Sequence, residues 1–312
     1  MNTELATEAV DFERSVRSAL EASGGFELVQ RAETEPAYRQ SIGDQLAALG
    51  MWDIDARADD LQLAAAALSC RTAGWFALPY PLAERLAARQ LQGAEAVAVA
   101  SGASPRFAHA DLGLDWFVIG LDGRSAPVVT AHPAVGGKLG RFVAPVELGA
   151  WSRSADVAPM VLVLQCWTLL GMLQSAQELT CNHVRDRHQF GQALAAFQSV
   201  QFALTEVSVA TQGLEELCKY TLWAVRHRPE DALTDALALR TAALEAAETA
   251  FRTGHQLHGA IGFCDETPIS WLSRYSQTLR RLPFGRSDTE SLLAGRISRF
   301  GFYTPVVEKV GE

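Results

Sequence analysis

Two short stretches in the second half of the chain gather residue types suited to a phosphate-bearing ligand. The first reads Arg187-His-Gln-Phe190-Gly191-Gln-Ala-Leu-Ala-Ala-Phe197-Gln198, the second Gln256-Leu-His-Gly259-Ala-Ile-Gly262-Phe263. Arg187 is a permanently charged planar fork whose donors fit a pyrophosphate. Gln198 lies eleven positions on. On a continuous helix that is about three turns, which would set both residues along one groove under a bound dinucleotide. Gly259 and Gly262 leave the backbone bare, so a phosphate or an adenine can approach closely. The bland reading is that Arg187 pairs with Asp186 or another carboxylate and that the glycines only let helices meet. It suffices for any one residue and weakens when all are taken together. His255 and His258 share a helix but have no third ligand nearby, so no metal site is expected. His183 and His188 flank Arg187 and read as polar surface.

These stretches need helices to hold them. From Val157 onward apolar residues recur at helical spacing, and Leu194, Phe197, Leu204, Val207, Leu214 and Leu217 step by 3, 7, 3, 7 and 3, a bundle seam. Asp231 to Leu257 and Ser287 to Phe300 read as further helices, and short connections between long helices imply antiparallel neighbours in a four-helix bundle. The first 85 or so residues are also helical, with periods over Thr7–Ser23, Tyr38–Leu49 and Asp59–Ala73, each closed by a glycine. Between them the texture changes. Ala96–Ala100, Trp116–Leu121, Pro127–Ala131 and Arg141–Leu148 are β-rich runs separated by turn residues, Asp122-Gly and Gly136-Gly among them, which predicts a small antiparallel β module. The expected architecture is α+β and mostly α: a helical domain over 1–85, a shortened β domain over 86–152, and a helical bundle over 153–312.

Composition narrows the function classes. The 312 residues are 48% hydrophobic and 20% charged, with a net charge of −9. That acidity speaks against a nucleic-acid surface, which needs clustered cations to replace phosphate counterions. The five cysteines are odd in number, widely spaced and free of CxxC, as expected of thiols in a reducing compartment. The opening MNTELATEAVDFERS is acidic where a secretory signal would be basic, and the apolar stretch Val157–Leu173 falls short of a bilayer span of roughly 20 residues. A cytoplasmic protein with no membrane partner is expected.

The two stretches, in this order of domains, resemble the acyl-CoA dehydrogenase family of flavoproteins. The first matches its R-x-x-F-G-x-x signature followed by a glutamine, and the second its Q-x-x-G-G-x-G-F, with Ala260 replacing the second glycine. Gly171 and Gln174 sit where that family's first bundle helix tends to carry them. The resemblance implies FAD as cofactor, with Arg187, Phe190, Gly191, Gln198, Gln256, Gly259 and Gly262 reaching across a subunit interface to its pyrophosphate and adenosine.

The chain departs from the family pattern where the flavin ring and the catalytic base belong. The family's glutamate stands a short way beyond an arginine like Arg274, and here Pro283 and Phe284 occupy that place. The alternative position, on the first bundle helix, falls near Val161 in a run with no acid. None of these side chains accepts a proton, so no catalytic residue is expected. Asp288 and Glu290 read as favourable charges opening the last helix, with a substitute base as their sharper alternative. The family's flavin loop is replaced by Ala100-Ser-Gly-Ala-Ser-Pro105, and its early Gly-Gly loop by Trp52–Arg57. The resemblance therefore implies a non-catalytic subunit of a heterotetramer, two copies of each chain, in which a homologous partner supplies the glutamate. The reaction would introduce an α,β-double bond into an acyl-CoA, a steroid side chain by analogy with known heteromers. The alternatives are a homo-oligomeric flavoenzyme with monooxygenase-like chemistry and a non-catalytic interface protein.

Overall fold

Helix α6 (Ala158–Asp186) runs 29 residues through the centre of the molecule and organises what surrounds it. It is apolar on nearly every face, the pattern of a helix packed all round. It is long and apolar enough to cross a membrane, but 83% of that stretch is buried inside the fold. The computed structural model describes residues 3–89, 91–100, 105–134, 140–153 and 156–300.

Among the described residues the α-helices before α6 are α1 (Thr7–Ala22), α2 (Glu27–Thr34), α3 (Tyr38–Ala48), α4 (Asp60–Trp75) and α5 (Leu82–Ala88). Asp59 caps α4, its side chain accepting the Gln62 N–H at 2.7 Å. The short α2 and α5 fall outside the sequence expectation, since neither carries enough turns to display a period. Helix α4 lies directly on α6. A Cβ on Gly74 would run into the Thr168 carbonyl, and one on Gly171 into the Arg71 carbonyl. Two glycines facing each other thus let the backbones touch.

The β strands are β1 (Ala96–Val99), β2 (Arg106–Ala108), β3 (Trp116–Ile119), β4 (Arg124–Ala131), β5 (Val143–Leu148) and β6 (Ser152–Arg153). The order is β1-β3-β4-β5-β2, with β6 also on β4. The expected all-antiparallel module is corrected at one edge: β1 pairs with β3 in parallel, Ala96 opposite Trp116. Its cause is connectivity. Strand β2, between them in sequence, crosses to the far edge to pair with β5, so β3 returns beside β1 in the same direction. The loop 101–104 and the Gly136-Gly turn lie outside the described residues.

Beyond α6 follow a small hairpin, β7 (His188–Gln189) and β8 (Gln192–Ala193), then α7 (Gln198–His227), α8 (Ala232–His258), α9 (Pro268–Arg281) and α10 (Arg286–Phe300). Val207 and Leu214 bury the seam of α7, whereas Leu194 and Phe197 precede the helix. Helices, a small sheet and a helical bundle thus follow one another in the expected order.

Candidate functional site

Up-and-down connection sets which residues share an end of the bundle. Helices α6 and α8 finish where α7 begins, so Arg187 at the end of α6, Gln198 at the start of α7 and Gln256 in the last turn of α8 occupy one end. Helix dipoles alone would give this end a mixed character, negative at two termini and positive at one. The fixed positive charge comes from Arg187. It is exposed, and among the described residues its guanidinium enters no ion pair, Asp186 included.

The single-helix path from Arg187 to Gln198 is corrected. The chain leaves α6 at Arg187, turns through the hairpin and returns, with Leu194 N–H donating to the Arg187 carbonyl at 2.8 Å. Phe190 and Gly191 form the two-residue turn, with φ of 54° and 86°. Positive φ at both centres is the type I′ pattern that matches strand twist. Glycine adopts it freely, but phenylalanine does so under strain. Phe190 is nonetheless 89% exposed, its ring touching Phe197 edge-on at 6.2 Å between centroids. Ile261 and Phe263, beyond α8, are exposed as well.

The two glycines of the second stretch differ. Gly259 ends α8 at φ 64° with open space where a Cβ would stand, so its backbone is accessible. Gly262 is buried, and a Cβ there would lie 2.9 Å from His258 Cβ. Its bareness serves packing of the 259–263 turn on α8. The histidines serve structure too. His183 and His258 stack at 4.3 Å, His255 stacks on Phe263 at 4.3 Å, and His255 Nε2 meets Ser273 Oγ at 2.8 Å. Burial lowers the pKa of all three below the usual imidazole value, with His258 and Arg187 adding to the effect at His183.

Two further places are those where the resemblance implies a base in the family. Val161 is buried within α6, and Phe284 is buried beyond α9. Arg240 Nη2 donates to the carbonyls of Leu279, Leu282 and Phe284 at 3.0, 2.9 and 2.8 Å, tying down the turn that carries Pro283 and Phe284. Glu290 is engaged by Arg286 at 2.7 Å. Asp288 is exposed in the first turn of α10.

A separate cavity of about 530 Å³ opens between α4, α5, α6, α9 and the sheet. Its wall is largely apolar, with Ala73, Leu78, Leu82 and Met172, and among the described residues it carries the carboxyl groups of Glu33 and Glu84. Glu84 Oε1 accepts from Gln165 Nε2 at 2.8 Å, and burial raises its pKa above the usual carboxylate value. Toward the mouth, Tyr275 donates to Glu33 at 3.0 Å, Arg141 pairs with the same Glu33 at 3.5 Å, and Arg274 pairs with Asp265 at 2.9 Å. His109 completes the wall, facing Arg39 at 3.2 Å, with Arg39 itself clamped on Asp111 at 2.7 and 3.0 Å. Burial first, then Arg39, pushes the His109 pKa down to about 3, so its ring is neutral. Sequence reasoning missed this cavity. The signal was there as polar interruptions of two apolar runs, Glu84 in α5 and Gln165 in α6.

The fold and the grouping of these residues at one end of the bundle can now be set beside known proteins. Residues 163–294 match the family described as "Acyl-CoA dehydrogenase, C-terminal domain". A 128-residue stretch is 32% identical to "Acyl-CoA dehydrogenase FadE28" of Mycobacterium tuberculosis, covering 41% of this chain and 38% of that protein. The chain therefore matches only about a third of the length of the curated relatives, 38% and 33% for two of them. Among solved structures, the "ChsE4-ChsE5 complex from Mycobacterium tuberculosis" superimposes with a TM-score of 0.78 at 17% identity, over 98% of this chain and 100% of that one. The "Tcur3481-Tcur3483 steroid ACAD" gives 0.79 at 17% identity, over 94% and 98%. At such identities these likenesses concern the fold.

Proposed function

We propose that the chain is one subunit of a FAD-dependent acyl-CoA dehydrogenase complex, and that its bundle end holds the pyrophosphate and adenosine of an FAD whose ring lies against a homologous partner. The supporting observation is where the binding residue types sit. Arg187, Phe190, Gly191, Gln198, Gln256 and Gly259 are all exposed on the outer end of the bundle, away from the chain's own cavity. A cation with no counter-ion among the described residues, a strained aromatic in solvent and a bare backbone at Gly259 together fit a phosphate-and-adenine ligand presented from outside. Gly262 contributes by seating the 259–263 turn.

FAD supplies the hydride acceptor when bound. In this chain Arg187 would neutralise the pyrophosphate, Phe190 would cover an apolar face, and Gln198 and Gln256 would offer amide hydrogen bonds. The residues at 161, 283 and 284 move no proton, so abstraction of the substrate's α-proton falls to a glutamate of the partner. The reaction is formation of an α,β-double bond in an acyl-CoA thioester. One of the two structural relatives is a steroid enzyme and the other is a two-chain complex, which supports a bulky acyl group and a heteromeric assembly.

Co-expression with a homologous acyl-CoA dehydrogenase chain, followed by native mass spectrometry, tests this directly. The expected result is a complex containing both chains and FAD, with little FAD on this chain alone. Full flavin content and normal acyl-CoA oxidation by the isolated chain would instead select a self-sufficient enzyme.

A further inference from the structure

We propose that the cleft between the Met51–Asp53 turn, α5 and the approach to β1 is a binding site for a phosphate-type oxyanion, held by the guanidinium groups of Arg85 and Arg89. The cleft shares no residue with the large cavity or with the bundle end. The inference goes beyond the proposed function and requires neither FAD nor a partner chain.

Charge is the first observation. Arg85 and Arg89 stand one turn apart on α5, so their side chains emerge on one face. A guanidinium is charged throughout the physiological range. Among the described residues neither arginine forms an ion pair. Arg85 Nη1 donates to the Tyr80 hydroxyl, a neutral phenol whose pKa burial raises against the opposing pull of Arg85. Arg89 Nη1 reaches only the Asp53 carbonyl, at 3.4 Å. The carboxylates at the rim are turned elsewhere. That of Asp53 lies back over Gly50, and Glu95 Oε2 accepts the Asp115 N–H at 3.0 Å.

Arg85 is also held ready. Its guanidinium carbon sits 3.8 Å over the Trp52 ring, and Nη1 is fixed on Tyr80. A fork already stacked and half-buried loses little further freedom on binding. Its Nε is buried and meets no acceptor, and Nη2 is left for a ligand. A charge withdrawn from water with donors unmet is costly, and an anion relieves that cost.

Size narrows the class. The cleft holds about 140 Å³. At roughly 30 Å³ per water-sized group, that is room for four or five such groups, the bulk of one tetrahedral oxyanion. Two cations suit a dianion, which a phosphate supplies and a single carboxylate does not. The ligand is a free ion or the terminal phosphoryl group of a larger molecule that leaves past the exposed Arg89.

The test titrates the full chain with inorganic phosphate, phenyl phosphate and acetate at constant ionic strength. Affinity is read locally, from the Trp52 indole N–H signal in the NMR spectrum, so phosphate at the bundle end does not count. The expected result is a saturable response to phosphate, with the Arg85 Nε–H signal moving alongside. Arg85→Met keeps an apolar stem on Trp52 and should weaken phosphate about tenfold or more, the loss of a charged hydrogen bond. Arg89→Gln changes an exposed charge and should weaken it about two- to fivefold, without bearing on the fold. Inorganic phosphate bound more tightly than phenyl phosphate identifies a free ion, and the reverse order a phosphoryl group on a larger molecule. No saturable response, an unmoved Arg85 signal, acetate bound as tightly as phosphate, or full affinity in either variant would each overturn the assignment.

Discussion

His183 and His258 stack ring on ring, 4.3 Å apart and 17° from parallel, joining the end of α6 to the end of α8. The contact sets the spacing between Arg187, four residues after one ring, and Gln256, two before the other. His258 is further fixed by donating Nδ1–H to the Gly254 carbonyl at 2.8 Å. Both pKa values are lowered in the fold from 6.5, so the unfolded chain takes up protons more readily. Their contribution is therefore complete above pH 6.5 and is lost as the pH falls through the lowered folded values. The thermal midpoint is expected to drop as the pH is taken from about 7 toward about 5, and a His183→Phe, His258→Phe double variant should flatten that part of the profile. Calorimetric scans across that range decide it. An unchanged slope in the double variant would show that the pair does not titrate with folding.

Arg187→Ala removes a charge that pairs with no carboxylate among the described residues. Folding should be indifferent to it, because surface changes away from packed features stay within about 0.5 kcal/mol. In the co-expressed complex, FAD affinity should fall by roughly 30- to 150-fold, the equivalent of a charged bidentate contact worth about 2–3 kcal/mol. Arg187→Lys should recover only part of this, since an ammonium lacks the fork. Flavin retention through dialysis reads the outcome.

Phe190→Asn separates the chain's own stability from its assembly. Asparagine tolerates the positive φ of 54° and favours the turn, so the isolated chain should gain about 1 kcal/mol. The same variant discards an aromatic ring that is 89% exposed and should weaken association with the partner. Denaturant melts of the chain beside native mass spectrometry of the complex compare the two. A gain in stability with undiminished assembly would make the ring incidental.

Gly74→Ala or Gly171→Ala should cost roughly 3 kcal/mol, because either methyl meets backbone and neither helix can yield alone. Gly213→Ala on α7, where a Cβ meets nothing, should be neutral or slightly stabilising. Urea midpoints of the three variants give the comparison.

Much of the fold is written in local patterns. The periods of α1, α3, α4 and the bundle helices are long enough to read, and the glycine stops mark their ends to within a few residues. The short helices α2 and α5 and the strands β2 and β6 are not legible, because elements of two to eight residues take their structure from neighbours rather than from periodicity. Arg187 can be singled out from its type, and Gln256 only through the family resemblance. Gln198 stands out through a helical spacing that the Phe190-Gly191 turn abolishes. The Glu84–Gln165 contact spans 81 positions and Tyr275–Glu33 spans 242, and no local rule reaches across such separations.

The three-carbonyl grip of Arg240 has a consequence for anyone wishing to give this chain a base of its own. Arg240 is 2% exposed, has its guanidinium 5.8 Å from the Phe284 ring, and meets the turn only through neutral oxygens. A carboxylate introduced by Phe284→Glu would arrive beside a buried cation with no counter-ion among those oxygens, and would be claimed as its partner. The new acid would be held ionised in an ion pair, a poor proton acceptor aimed at the wrong neighbour. Under the proposed function, giving this chain a base of its own is thus a two-residue problem at least. A single substitution would trade an anchored turn for a trapped charge.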